Sequence, residues 1–242
     1  MLELYNAPVS TCSQKVRMAL FEKEMPWTDK TIQFARRDHL SDWYLALNPN
    51  GVVPTLVHDG HVIIDSSVIN EYLEDVFPTR PLRPAGAVET AHMRAWRQYI
   101  DEVSTPAVRY PSFNAAFVHI WADMTDEEYR AHVDQLPLRK HFYQKMGRTG
   151  FSKEEINSAL EQLRQTVERM ERSFERTQWL ASDHFTLADI SIMPTIVRMD
   201  DLGLGYIWAD LPAVADWYKR IQSRHAFAQT YPAGSRNIHP SC

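Results

Sequence analysis

At 242 residues, with 44% hydrophobic and 24% charged side chains, the chain has a globular composition and the length for two modest domains, which excludes a disordered or disulfide-built protein. Its formal net charge of −5 comes from interspersed signs without a Lys or Arg block, which argues against a nucleic-acid surface. No run approaches the ~20 apolar residues of a membrane span, and the start Met1-Leu-Glu-Leu-Tyr5 lacks a secretory signal, so a cytoplasmic protein with no membrane partner is expected.

Leu2, Leu4 and Tyr5 predict a strand, Ala7-Pro8-Val9 a turn, and Ser10 the N-cap of a helix whose inner face is Val16, Ala19, Leu20 and Lys23. Cys12 lies in that helix. The only other cysteine is Cys242, and both are expected to be free thiols. A second strand is predicted over 31–34, and a second helix from about His39 to Leu47, stopped by Asn48-Pro49. Segments 52–57 and 61–64, joined around Asp59-Gly60, carry a hairpin signature. From Ser66 the spacing of Val68, Ile69, Tyr72, Leu73 and Val76 predicts a third helix, so the order is βαβ, then α, then ββα.

The run Pro78-Thr-Arg-Pro-Leu-Arg-Pro84 marks a boundary: an α/β domain over 1–77, a linker over 78–86 and an all-helical domain over 87–242. In the second half a helix is predicted over 88–103, and Thr125 with Glu128 forms a capping box before another. Residues 154–176 carry Ile156, Leu160, Leu163, Val167, Met170 and Phe174 at helical intervals. Thr186-Leu-Ala-Asp189 opens a nearly continuous apolar segment that reads as the buried central helix of a bundle, with Pro194 kinking it or sitting where its missing donor is tolerated. Thr186 and Asp189 form its capping box and are assigned to folding. The tail after Tyr231 lacks periodicity, and Arg36-Arg37 and Arg80 through Arg83 read as solvated loop charges.

The stretch Asn50-Gly-Val-Val-Pro-Thr-Leu56, followed by the hairpin turn and Asp65-Ser66, has the layout of a half-open sheet edge with a carboxylate and a hydroxyl just beyond it. Such an edge holds the backbone of a small, charged, peptide-like ligand. Ser10-Thr-Cys-Ser-Gln-Lys-Val-Arg17, Val53-Pro54, Asp65-Ser66-Ser-Val-Ile69 and Thr186-x-x-Asp189, in that order, resemble the soluble glutathione transferases along nearly the whole chain. Ser41-Asp-Trp43 through Asn48-Pro49, Tyr72-Leu-Glu-Asp-Val-Phe-Pro78, Leu82-Arg-Pro-Ala85, Met124-Thr-Asp-Glu-Glu128 and Gly150-Phe151 look closest to the bacterial β-etherases that act on lignin-derived aryl ethers. Ser10-Thr-Cys-Ser13 is more like the zeta-type transferases.

The resemblance implies a thioredoxin-like first domain followed by a helical bundle, glutathione as co-substrate, a small aromatic electrophile as partner, and a homodimer. It makes Ser10 the residue that stabilises the glutathione thiolate, with Ser13 in reserve. A free thiol ionises near pKa ~8.5, and lowering that by about two units takes about 2.7 kcal/mol of preferential thiolate stabilisation, which a helix N-terminus and a hydroxyl supply together. Val53 would pair its backbone with the cysteinyl unit beside a cis Pro54. Asp65 and Ser66 would hold the γ-glutamyl end, and His39 and Asn50 the glycyl carboxylate. No metal site is expected. Aromatic residues between Ser104 and Gly150, namely Tyr110, Phe113, Phe117, Trp121, Phe142 and Tyr143, would build the electrophile pocket. Alternatives are a glutathione-dependent isomerase or dehalogenase, a thiol oxidoreductase working through Cys12, and a non-catalytic binding scaffold.

Overall fold

The computed structural model describes residues 1–233 and 235–236; Cys242 lies outside them. The first half contains β1 (Leu2–Asn6), α1 (Thr11–Glu22), β2 (Thr28–Thr31), α2 (Asp42–Leu47), β3 (Thr55–His58), β4 (His61–Ile64) and α3 (Ser66–Val76). The four strands form one sheet in the order β2-β1-β3-β4. β1 runs parallel to β2 and antiparallel to β3, and β4 is antiparallel to β3. This is the thioredoxin-like arrangement that the family resemblance implies.

The second strand lies three residues earlier than predicted. Thr28-Asp-Lys-Thr31 pairs with β1 along an exposed edge, so its side chains carry no inward apolar period. Ile32, the apolar residue in the predicted span, sits just past the strand end, buried with Ala7, Tyr44 and Val53. The second helix is also shorter than expected. Two turns of 3-10 helix, Phe34–Arg36 and Asp38–Leu40, precede it, separated by Arg37 in the left-handed region at φ 58°.

The helical half contains α4 (Ala87–Tyr99), α5 (Thr105–Ala116), α6 (Asp126–Asp134), α7 (Lys140–Met146), α8 (Lys153–Phe174), α9 (Leu187–Asp201), α10 (Pro212–Gln222) and α11 (His225–Thr230). The helix predicted over 88–103 is α4 plus a π-helical turn, Ile100–Ser104, that leads directly into α5. Pro106 in the first turn of α5 has no amide hydrogen to donate back into that turn, which matches the widened winding before it. No helix among the described residues is long and apolar enough to cross a membrane.

α9 is the axis of the molecule: Leu187 through Met199 are all buried, and the helix packs on α1, α4, α5 and α10. Pro194 is inside it, and buried. Its start is the expected capping box. The Asp189 carboxylate accepts from the Thr186 N–H at 3.0 Å and the Thr186 hydroxyl at 3.2 Å, and also from the Leu180 N–H at 3.1 Å and Trp217 Nε1 at 2.9 Å. Burial pushes the Asp189 carboxyl pKa up, and these four donors oppose it.

Asp189→Ala strands those donors in a dry core. It is expected to lower stability by about 3 kcal/mol, the scale of losing several bonds to a buried charged acceptor. A urea melt should show the midpoint falling with little change in slope.

Candidate active site

The pairing register gathers the candidate residues at one end of the sheet. Tyr5 lies opposite Thr55, and Thr55 opposite Ile64. One residue further along each chain, the end of β1 enters Ala7-Pro8-Val9, β3 is preceded by Val53-Pro54, and β4 is followed by Asp65-Ser66. The N-termini of α1 and α3 therefore open beside the same sheet end, both with their positive dipole ends there.

Ser10 is the N-cap of α1. Its N–H donates to the Ala7 carbonyl at 3.1 Å and its Oγ accepts from the Ser13 N–H at 3.3 Å, which leaves the hydroxyl proton for a ligand. Ser10 lines a cleft of about 530 Å³ between the two halves, with His39, Asn50 and Val53. Ser13 does not reach the cleft. It is fully buried, and its Oγ accepts from the Ala7 N–H at 3.3 Å.

The Val53-Pro54 bond is cis. Neither the N–H nor the C=O of Val53 is engaged by another group among the described residues. The preceding Val52 carbonyl is held by Tyr44 Oη at 2.7 Å and Asn48 Nδ2 at 2.9 Å, which fixes the loop that presents Val53. Asp65 sits at φ 72°, an uncommon backbone state for a side-chain-bearing residue, and caps α3 by accepting from the Ser67 and Val68 N–H groups at 2.9 and 3.2 Å. Asp65 is exposed and Ser66 buried at that helix start, and both stand off the cleft lining.

The loop that sets α1 is held by its carbonyls. Arg17 donates to Ala7 O at 3.4 Å and Pro8 O at 3.1 Å, Gln14 Nε2 donates to Pro8 O at 3.0 Å, and Arg198 of α9 donates to Val9 O at 2.7 Å. On the other side, buried Lys15 reaches Asp101 in the π-helical turn at 2.7 Å, and Asp101 also accepts from Ser67 of α3. Burial alone would raise the Asp101 carboxyl, but Lys15 and Ser67 outweigh it and hold it below the usual carboxylate range.

The far wall is aromatic. Phe113, Phe117, Trp121, Phe142 and Tyr143 line the cleft, whereas Tyr110 packs behind them on Phe142 and Phe151. Sequence reasoning missed the cations: Arg37, Arg109, Arg139, Arg198 and His132 also line it. Arg37 is exposed as expected, but it bridges to Gln135 at the end of α6. Arg198 had a readable signal, a charge inside a nearly continuous apolar helix; Arg109 and Arg139 had none. Cys12 is a half-buried free thiol on the lining beside Arg109.

His39 is pushed down to about 4, first by burial and then by the Arg37 and His132 charges, so its ring is neutral near pH 7. Its Nδ1 is buried without a partner among the described residues.

A thioredoxin-like half with a free strand edge and a helix start, facing across the cleft a helical half with an aromatic wall, defines the class of fold. Residues 9–76 match the family model for the glutathione S-transferase N-terminal domain, and residues 127–220 that for the C-terminal domain. The chain is similar to Protein LigF of Sphingobium sp. (strain SYK-6), 30% identical over 97% of this chain and 95% of that one. The crystal structure of beta-etherase LigF from that strain matches with a TM-score of 0.87 at 29% identity, over 95% of this chain and 98% of that one. Glutathione S-transferase 1 of Dianthus caryophyllus is 30% identical over 91% of this chain and 88% of that one. Maleylacetoacetate isomerase of Dictyostelium discoideum is 41% identical over 99 residues, 40% of this chain and 45% of that one. The chain belongs to the glutathione S-transferase family, enzymes whose co-substrate is glutathione.

Because the folded-state pKa of His39 lies below its ordinary value near 6.5, the folded protein binds fewer protons than the unfolded chain between those values. Stability is therefore lost as pH falls from about 6.5 towards 4. Urea midpoints at pH 7 and pH 5 should drop further for the wild type than for His39→Gln, which removes this proton uptake.

Proposed function

We propose that the protein binds glutathione along Val53, ionises its thiol at Ser10 and the start of α1, and uses the thiolate to attack an aromatic electrophile packed on Phe113 and Phe142. The observation that carries this reading is the position of Ser10: a capping hydroxyl with a free proton, on the cleft, at the positive end of α1. Val53 pairs with the cysteinyl unit as an added strand would. Asp65 and Ser66 take the γ-glutamyl ammonium and carboxylate at the start of α3. Asn50 and neutral His39 donate to the glycyl carboxylate. Pro54 keeps the strand edge open, and Ser13 serves as a buried brace for Ala7 rather than as the thiolate partner.

The likeness to LigF directs the reaction to β-aryl ether cleavage. A carbon–sulfur bond forms as the carbon–oxygen bond breaks, the phenolate leaves with the bonding pair, and it takes a proton from solvent to replace the one the thiol gave up. One glutathione is consumed per ether. The similarity to maleylacetoacetate isomerase over 99 residues favours one other reading, an isomerase that returns glutathione unchanged. Following free thiol over time separates the two. We place the working form as a cytoplasmic homodimer, joined through the outer face of α3 and α4 where exposed Val68 lies among Glu71, Arg94 and Arg97.

Ser10→Ala is expected to lower kcat/KM by roughly 10- to 150-fold, the rate equivalent of losing one hydrogen bond to a charged sulfur, about 1.5–3 kcal/mol. The thiolate absorbance of bound glutathione should shift to higher pH in parallel. If Cys12→Ala instead abolished turnover and Ser10→Ala did not, a Cys12 thiol-exchange mechanism would replace this one.

A further inference from the structure

The cleft is one-sided in charge. Arg37, Arg109, Arg139, Arg198, His39 and His132 line it, and no Asp, Glu or Lys among the described residues does. Two of the four arginines have work already: Arg198 holds the Val9 carbonyl, and Arg37 reaches Gln135 at the end where Asn50 and His39 lie. Arg109 and Arg139 remain. Among the described residues neither guanidinium has a carboxylate within ion-pair distance, and the side-chain partner of Arg109 is the Cys12 thiol. Asp101, the one carboxylate whose field reaches Arg109, is committed to Lys15 and Ser67.

Their placement is as telling as their lack of a carboxylate partner. Arg109 precedes Phe113 by four residues on α5. Arg139, at the start of α7, precedes Phe142 and Tyr143 by three and four. Each arginine therefore shares a helix face with the aromatic residues that line the cleft, one turn away from them. A ring packed on Phe113 and Phe142 would carry its substituent into reach of both guanidiniums. Half-buried cations without counter-charge are costly, and a ligand anion relieves that cost with charge-assisted, bidentate bonds. Burial, and then the Arg139 charge, push Arg109 down to about 10, the direction an arriving carboxylate would reverse.

We propose that the electrophile is an aromatic compound bearing a carboxylate, and that Arg109 and Arg139 hold that carboxylate while Phe113 and Phe142 hold the ring. This specificity rests on the transferase reading above for its reaction, but its recognition step is measurable without turnover.

The test titrates 4-chloro-3-nitrobenzoate and 4-chloro-3-nitrobenzamide into the protein calorimetrically, in the presence of S-methylglutathione, whose sulfur cannot attack. The benzoate is expected to bind at least about 10-fold tighter than the amide, a preference that falls several-fold in Arg109→Gln and in Arg139→Gln and is partly kept in Arg109→Lys. Equal binding of the two probes, or a preference unmoved in both Gln variants, overturns the proposal. So does a loss of S-methylglutathione affinity in both variants with the benzoate preference intact, which would give the arginines to the peptide carboxylate. In turnover, glutathione displaces chloride from the ring carbon, the carbon–sulfur bond forming as chloride leaves with the bonding pair. The ratio of kcat/KM for benzoate over amide, each divided by its uncatalysed rate, should fall in step with binding. Absence of any chloride release, with the binding preference present, would sink the transferase reading and leave this one standing.

Discussion

The active end of this molecule depends on the carbonyls of Ala7, Pro8 and Val9 being held by cations and an amide. Arg17, Gln14 and Arg198 draw those three oxygens to one side, so the start of α1 leaves the loop at a fixed angle with its own amides turned the other way. A helix dipole acts over about one turn, so the direction of that first turn decides whether a sulfur on the cleft feels it. The same geometry sets Ser10 on the cleft, where it caps the helix through its lone pair and leaves its hydroxyl proton free.

Much of the fold was legible because its elements carry inward faces. The apolar spacing of α3 and α8, the Pro-rich linker and the capping boxes at Thr125 and Thr186 all announce themselves in local residue order. β2 was misplaced for the converse reason: an exposed edge strand of Thr, Asp, Lys and Thr has no period to read, and its register is set by β1. The continuation of α4 through a π-helical turn into α5 was invisible because periodicity tolerates one wider turn.

The residues of the candidate site were legible where a backbone role leaves a mark and illegible where only packing brings a side chain to the cleft. Val53-Pro54, Asp65-Ser66 and Ser10 stand at element ends, where Pro, Asp and Ser carry meaning. Ser13 shares the same short motif as Ser10, and only the turn of the helix shows that its hydroxyl points back at Ala7 instead of into the cleft. Arg109 and Arg139 belong to helices that meet far from them in sequence, so their convergence with His39 and Arg37 is a product of packing alone. The result is a cleft whose histidines are biased towards neutrality, first by burial and then by the Arg37 charge.

The salt link from Lys15 to Asp101 and the bond from Arg198 to Val9 have a bearing on how such a molecule diversifies. Each half of the peptide-activating end is fastened by a residue that the opposite half owns. A new helical module grafted onto this sheet would bring fresh walls for the second ligand, but unless it also brought a guanidinium and a carboxylate at these two anchor points it would uncouple the nucleophile from its scaffold. The segment between α5 and α8 carries neither anchor, so changes to the wall of the cleft there leave both fastenings in place.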